Sequence, residues 1–424
     1  MRVLLISANR TEINMRTMPL GLACVAQSVR REGHAVKMLD LLQAEDAPGA
    51  IAAAIAELDP EVIGISIRNI DDQTMRNTRF LFDEDNRIIA LVRKLSRVTI
   101  VLGGAGYSIF PETILAASEA DIGIEGEGEA VFNMVLERLK NNETLDGLPG
   151  VHVKGRGLMA EKILIREPDA FTLPDPDLLI AAPGDAGDLW IPVQTRRGCP
   201  MRCSYCSTGT IEGTITRKRS PKNVVEWIAK LESRGVKQFY FVDNTFNLPP
   251  SYATALCKEL ARASLKLKWR CILYPYRIDE SLVEAMAEAG CFEASVGFEG
   301  ANEEVLKGMN KRFRGEDVAE TCSLLKRYGI RRMGFLLLGG PGETPESVEE
   351  SLSFADSLDL ELIKITVGIR IYPDTVLAEQ ARREGIIAPD DDLLVPKFYV
   401  TQGLEDEIRE AVERYAAKRS NWIV

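Results

Sequence analysis

Short apolar runs rich in β-branched residues recur along this chain, and a helix-patterned stretch follows nearly every one. In the first part the runs lie at 3–7, 35–39, 62–67, 99–102 and 121–124, with helical patterns at 20–31, 50–58, 86–95 and 131–140. Strands that are apolar throughout and joined by helices belong to a parallel sheet covered on both faces. Five such units predict a doubly wound α/β domain over residues 1–140. Ligands of such a sheet bind at the carboxyl ends of its strands, in the loops that follow them. The rhythm breaks across 141–190, where Asn141, Asn142, Gly147, Pro149, Gly150, Pro168, Pro174 and Pro176 interrupt any long element. A linker with a short hairpin over 152–165 is expected there. The rhythm returns with strands at 191–195, 238–242, 268–273, 293–297, 334–338 and 363–367. Six such β/α units predict a partial (β/α)6 barrel over 191–389, with chemistry at the C-terminal ends of its strands. Residues 390–424 read as a helical tail.

The loop after the first barrel strand reads Cys199-Pro200-Met201-Arg202-Cys203-Ser204-Tyr205-Cys206. Three thiolates on so short a loop can ligate three irons of a [4Fe–4S] cubane and leave the fourth open to a small molecule. A zinc site would pair such cysteines with a second C-x2-C or with histidines, and neither follows. The two histidines, His34 and His152, stand outside any motif. Eight cysteines with only three clustered fit a reducing cytoplasm better than a disulfide framework. Cys271 and Cys291 are flagged as possible further ligands, though spare buried thiols usually serve as small hydrophobes. A net charge of −11 weighs against a nucleic-acid-binding face. No apolar stretch approaches a membrane span, and no leader-like segment precedes the first strand.

The cysteine motif resembles that of the radical S-adenosylmethionine (SAM) superfamily, in which the open iron chelates the amino and carboxylate groups of SAM. Two later segments strengthen the resemblance. Ser295-Val296-Gly297-Phe298-Glu299 ends the fourth barrel strand, and Leu338-Gly339-Gly340-Pro341-Gly342-Glu343-Thr344 ends the fifth. The resemblance implies a SAM site formed by Tyr205, Ser295, Glu299, Leu338 and Gly339, with Cys199, Cys203 and Cys206 on the cluster. Asp243, ending the second barrel strand, and Arg270, on the third, are expected to line the lumen beside SAM, with an ion pair or a core position as the alternative for each. The second segment also reads as a helix start, with Thr344 as N-cap and Pro345 following it.

The first half resembles the flavodoxin-like (Rossmann-like) cobalamin-binding domain that precedes many radical SAM barrels. The matching segments are Pro19-Leu20-Gly21, Ile63-Gly64-Ile65-Ser66-Ile67, Gly103-Gly104-Ala105-Gly106 and Glu125-Gly126-Glu127-Gly128-Glu129. The resemblance implies corrinoid contacts from Asn9, Pro19, Leu20, Gly21, Ser66, Arg68, Asn69, Ile70, Gly103, Gly104, Ala105, Gly106, Glu125, Gly126 and Glu127. One departure stands out. The loop after the first strand lacks the D-x-H-x-x-G histidine that ligates cobalt in mutases, so the lower cobalt face is expected to have no histidine.

Together the resemblances imply a cytoplasmic, cobalamin-dependent radical SAM methyltransferase acting on an unactivated carbon of a small molecule. Its cofactors would be a [4Fe–4S] cluster, SAM and cobalamin, and flavodoxin or ferredoxin would supply electrons. A ring-forming cyclase or rearrangement enzyme of the same architecture is the alternative, and a non-catalytic cobalamin- or redox-sensing module is the reading from another class. A sensor would have no use for the two SAM segments.

Overall fold

The structure, a computed structural model, describes residues 1–12, 18–180 and 189–424, so part of the expected linker lies outside it. The chain forms two compact units. The first comprises 1–72, 79–185 and 210–213, and the second 73–78, 186–209 and 214–424.

Five strands form the parallel core of the first unit: β1 (Arg2–Ser7), β2 (Ala35–Asp40), β3 (Val62–Ser66), β4 (Thr99–Gly103) and β5 (Ile122–Ile124). Their order is β2-β1-β3-β4-β5, one of the two common doubly wound orders. Val3, Leu4 and Ile6 on β1 and Ile63 on β3 are fully buried, as expected for strands with helices on both faces. The register pairs Ser7 with Ser66 and Ser66 with Gly103. The loops after β1, β3 and β4 therefore start side by side on one edge. Beyond β5 the expected hairpin is shorter than predicted: β6 (Val151–Val153) and β7 (Gly157–Leu158) extend the sheet antiparallel.

The main sheet of the second unit has seven strands, lying side by side in sequence order. These are β8 (Trp190–Val193), β9 (Gln238–Phe241), β10 (Lys268–Leu273), β11 (Cys291–Glu299), β12 (Arg331–Leu338), β13 (Leu362–Val367) and β14 (Trp422–Ile423). All neighbours pair parallel, and β8 and β14 are the open edges. Period-two alternation sorts the side chains. Trp269, Cys271 and Leu273, then Ala294, Val296 and Phe298, then Leu336 and Leu338, are buried. The alternate residues Arg270, Ile272, Glu293, Met333, Phe335 and Leu337 are half-buried on the other face. Gly334 keeps the packed face tight, since a Cβ there would stand 2.7 Å from Phe298 and Leu360. The tail holds the expected helix (Glu405–Ala416) and also supplies β14, which sequence reasoning did not foresee. A two-residue edge strand is too short to show a period.

Candidate functional site

In the second unit the cysteine loop leaves the β8 end through Arg196–Arg197 and enters a short helix at Thr208. None of the three cysteines is in a disulfide. Arg202 takes a left-handed φ of 53°, which turns the chain sharply between the first two cysteines. The loop is held from outside by residues 309–310. Ser204 N donates to Met309 O at 3.1 Å, and Asn310 Nδ2 donates to Arg202 O at 2.6 Å and to Met201 O at 3.3 Å. Among the described residues no three acidic, histidine or cysteine side chains converge on a site for a single metal ion. A cubane asks for something else, because each thiolate takes a different iron. Three unbridged thiols on one braced loop suit that group.

Cys271 and Cys291 do not join them. Both are buried; Cys271 faces the helices, and Cys291 opens β11 at the strand end opposite Glu299.

The end of β11 is built unusually. The register with β12 slips between Gly297 and Glu299, and Glu299 has φ 58°. A bulge with a non-glycine residue in the left-handed region costs of order 1–3 kcal/mol, and such strain gathers at working sites. The slip turns the Glu299 carboxylate toward the cysteine loop. Its Oε1 accepts from Tyr205 OH at 3.0 Å and from Lys311 Nζ at 2.9 Å. Lys311 Nζ also meets Tyr205 OH at 2.9 Å. Burial pushes the Tyr205 phenol well up, and the Glu299 charge pushes the same way. Burial also raises the Cys203 thiol, opposed by the positive charge of Lys311. Tyr205 is thus a hydrogen-bonding partner of Glu299 through its hydroxyl.

After β12 the backbone turns at Gly339, where φ is +101° and only glycine fits freely. Glu343, which sequence reasoning passed over, ties this turn. Its carboxylate accepts from Gly339 N and from Gly340 N, the latter at 3.0 Å. Thr344 then caps the following helix, with Ser347 N donating to its Oγ1 at 3.3 Å. Burial lifts Glu343 from 4.5 to about 7, only partly offset by the two N–H donors. A carboxyl whose folded value lies above its unfolded one contributes stability that is full below 4.5 and lost as pH rises through about 7. Glu343→Gln should therefore gain about 3 kcal/mol on the wild type between these limits, measured by denaturant unfolding across pH. An offset independent of pH would show that the ionised carboxylate is fully accommodated.

Two further residues expected at the SAM site have protein partners. Asp243 is buried, and its Oδ1 accepts from Thr195 N at 2.7 Å and Arg196 N at 3.1 Å, with Thr195 Oγ1 on Oδ2 at 2.6 Å. It staples the end of β9 to the end of β8. Arg270 lies in mid-strand, its guanidinium 4.2 Å from the centre of the Trp190 ring and 3.8 Å from Glu293. Trp190 opens β8, so Arg270 points to the end of the sheet away from the cysteines. Ser295 is buried on β11, and Leu338 and Gly339 flank the Glu343 turn.

In the first unit the loop after β4 is packed against the loop after β3. Ile67 N donates to Gly103 O at 2.8 Å and Gly106 N to Ile67 O at 3.0 Å. A Cβ on Gly104 would fall 2.4 Å from Ile67 O and 2.9 Å from Ser66 Oγ, and one on Gly106 3.1 Å from Arg68 O. These two glycines are needed for backbone approach. Gly103 differs: its nearest neighbour would be Ile124 O at 3.7 Å. Pro19 and Leu20 begin the first helix, and Gly21 faces open space. Asn9 and Ile70 are buried, and Ala105 starts a short helix after Gly104. Arg68 and Asn69 lie between β3 and Ile70.

Glu125 and Glu127 have protein partners. Glu125 binds His152 Nε2 at 3.2 Å and also Lys162, while Glu127 accepts from Ile165 N at 2.6 Å. Burial alone would raise Glu125, but hydrogen bonds from His152 and Lys162 outweigh it and hold it below its usual range. Ser108, another residue passed over, accepts from Gly126 N at 2.9 Å and donates to Gly104 O at 2.8 Å, joining the loops after β4 and β5.

Residues 193–355 match the model of the radical SAM superfamily, and residues 6–136 that of the B12 binding domain. An uncharacterised methyltransferase of Pyrococcus horikoshii is 29% identical over 90% of this chain and 83% of its own length. Tryptophan 2-C-methyltransferase of Streptomyces laurentii is 24% identical over 88% of this chain and 73% of its own. The structure of the radical SAM methyltransferase TsrM from Kitasatospora setae, with cobalamin and a [4Fe–4S] cluster bound, superposes with a TM-score of 0.87. It covers 100% of this chain and 90% of its own, at 22% identity. No described helix is long and apolar enough to cross a membrane. The braced cysteine triplet, the glycine-lined sheet edge and the two matching models agree: the chain is a radical SAM protein with an N-terminal B12-binding domain, and its cofactors are a [4Fe–4S] cluster, SAM and cobalamin.

Proposed function

We propose that this protein is a cobalamin-dependent radical SAM methyltransferase acting on an unactivated carbon of a small molecule, in the cytoplasm, with electrons from a flavodoxin- or ferredoxin-type donor. The observation that carries the reading is the pairing of both domains in one chain whose relatives, over 90% of its length in the Pyrococcus case, are methyltransferases. When bound, the cluster and SAM supply the reactive methyl or radical chemistry and the corrinoid carries the methyl group. The chain's own tasks are to bind and to orient. Cys199, Cys203 and Cys206 hold the cluster. Glu299, fixed through Oε1, keeps its second oxygen for SAM, with Ser295, Leu338 and Gly339 bordering the same strand ends. Gly103 and the loops after β1 and β3 receive the corrinoid.

Anaerobic protein loaded with cluster and hydroxocobalamin, then given methyl-labelled SAM and a strong reductant, should place label in the corrinoid fraction. If both cofactors are retained and label never leaves SAM as a methyl group, the ring-forming or rearrangement reading takes its place.

A further inference from the structure

The segment after β11 brings a cation to the cysteine loop that no motif announces. Lys311 is 4% exposed in its side chain, and its Nζ lies 2.9 Å from both Glu299 Oε1 and Tyr205 OH. Its positive charge also acts on the Cys203 thiol, against the effect of burial. The rings of Tyr205, Tyr274 and Phe313 surround it, with Nζ 5.2, 6.0 and 6.0 Å from their centres. Its neighbours are fastened on both sides. Asn310 holds the carbonyls of Met201 and Arg202, and Arg312 N donates to Tyr274 OH at 2.9 Å. A buried ammonium is expensive unless paired, and here its partners are the hydroxyl of Tyr205, which lies between two proposed cluster ligands, and the proposed SAM carboxylate. Tyr205 and Lys311 both bind Oε1; among the described residues Oε2 has no hydrogen-bond partner.

We propose that Lys311 is a positioning residue that sets the reduction potential of the cluster and pins Glu299 so that only Oε2 is presented to SAM. The inference rests on the reading of Cys199, Cys203 and Cys206 as the cluster site. The cluster would take up one electron from an external reductant, and the added negative charge would fall within the loop to which Lys311 is bonded through Tyr205. A fixed positive charge in a dry site stabilises that state strongly, because little water screens it. Removing the ammonium does more than delete this attraction. It leaves the Glu299 carboxylate uncompensated next to a centre that must become more negative.

The test is a dithionite titration of the reconstituted protein followed by electron paramagnetic resonance, with iron and sulfide measured on the same samples. Lys311→Met and Lys311→Gln should keep the cluster and shift its reduction equilibrium at least tenfold toward the oxidised form, about 59 mV for one electron. Lys311→Arg, which keeps the charge, should recover most of the shift. SAM affinity measured by equilibrium dialysis on the oxidised protein should fall in both neutral variants. Neutral variants with a full cluster and a reduction equilibrium within about twofold of wild type would overturn the inference. So would loss of the cluster in both, since Lys311 would then be a scaffold for the loop. Wild-type protein that takes up no cluster would instead defeat the reading on which the inference rests.

Discussion

Cys203→Ala protein, reconstituted anaerobically, is expected to lose the iron–sulfur chromophore and all turnover of SAM. Wild type should hold about four iron and four sulfide per chain, and the variant close to none. The effect is total because a cubane held by three thiolates has no spare protein ligand to promote. Cys203 is the middle member, and it cannot be replaced by a neighbour: Cys206 N donates to its carbonyl at 3.2 Å, which fixes the turn between the two. Ser204 and Asn310 hold the loop from the other side. The remaining cysteines are outside this loop and buried. Cys24 lies buried in the first unit, and Cys257 and Cys322 are buried in helices. Burial raises the thiols of Cys257 and of Cys322, the latter to about 12. Serine at any of these three should leave iron content unchanged. A full cluster in Cys203→Ala would refute the assignment of the triplet.

The parts of this architecture legible in sequence are those that repeat or that are local. Strand positions in both units follow from β-branched apolar runs, because a doubly covered parallel strand must be apolar along its length. The cysteine loop, the turn at Gly339 and the Thr344 cap are short-range patterns, each contained in fewer than a dozen residues. What escaped was the set of contacts made across the fold. Lys311 lies 106 residues from Tyr205, and nothing in its surroundings, Met309-Asn310-Lys311-Arg312, separates it from a solvated basic stretch. Glu125 finds His152 27 residues away and Lys162 37 away, so glutamates that looked free for a ligand proved to be internally paired. Asp243 and Arg270 show the same limit from the other side. Sequence places a charged residue on a strand, but the direction of its side chain and the depth at which it points depend on register. In Asp243 that register turns the carboxylate back to Thr195. In β11 a single slip rotates Glu299 into the site, and no residue type signals a bulge.

Gly103→Phe protein is expected to lose corrinoid binding while keeping its fold and its iron–sulfur absorbance. The choice of position follows from the difference among the three loop glycines. At Gly104 the backbone has φ +103° and an added Cβ would lie 2.4 Å from a backbone oxygen, so any substitution strains the loop before it meets a ligand. Gly106 is only slightly less confined, 3.1 Å from Arg68 O. Loss of cobalamin in those variants would report a damaged domain. Gly103 ends β4 in ordinary extended pairing with Ser66, and its Cβ would make van der Waals contact at 3.7 Å. An aromatic side chain suits a strand and would project into the space where the nucleotide tail of the corrinoid is proposed to pass. Affinity should fall at least a hundredfold, about 2.7 kcal/mol, read as corrinoid absorbance after desalting, while the unfolding midpoint stays near that of wild type. Retained corrinoid in a folded Gly103→Phe protein would move the ligand away from the end of β4. Absence of corrinoid from wild type with a full cluster would leave the first unit without its proposed ligand and the methyl group without its carrier.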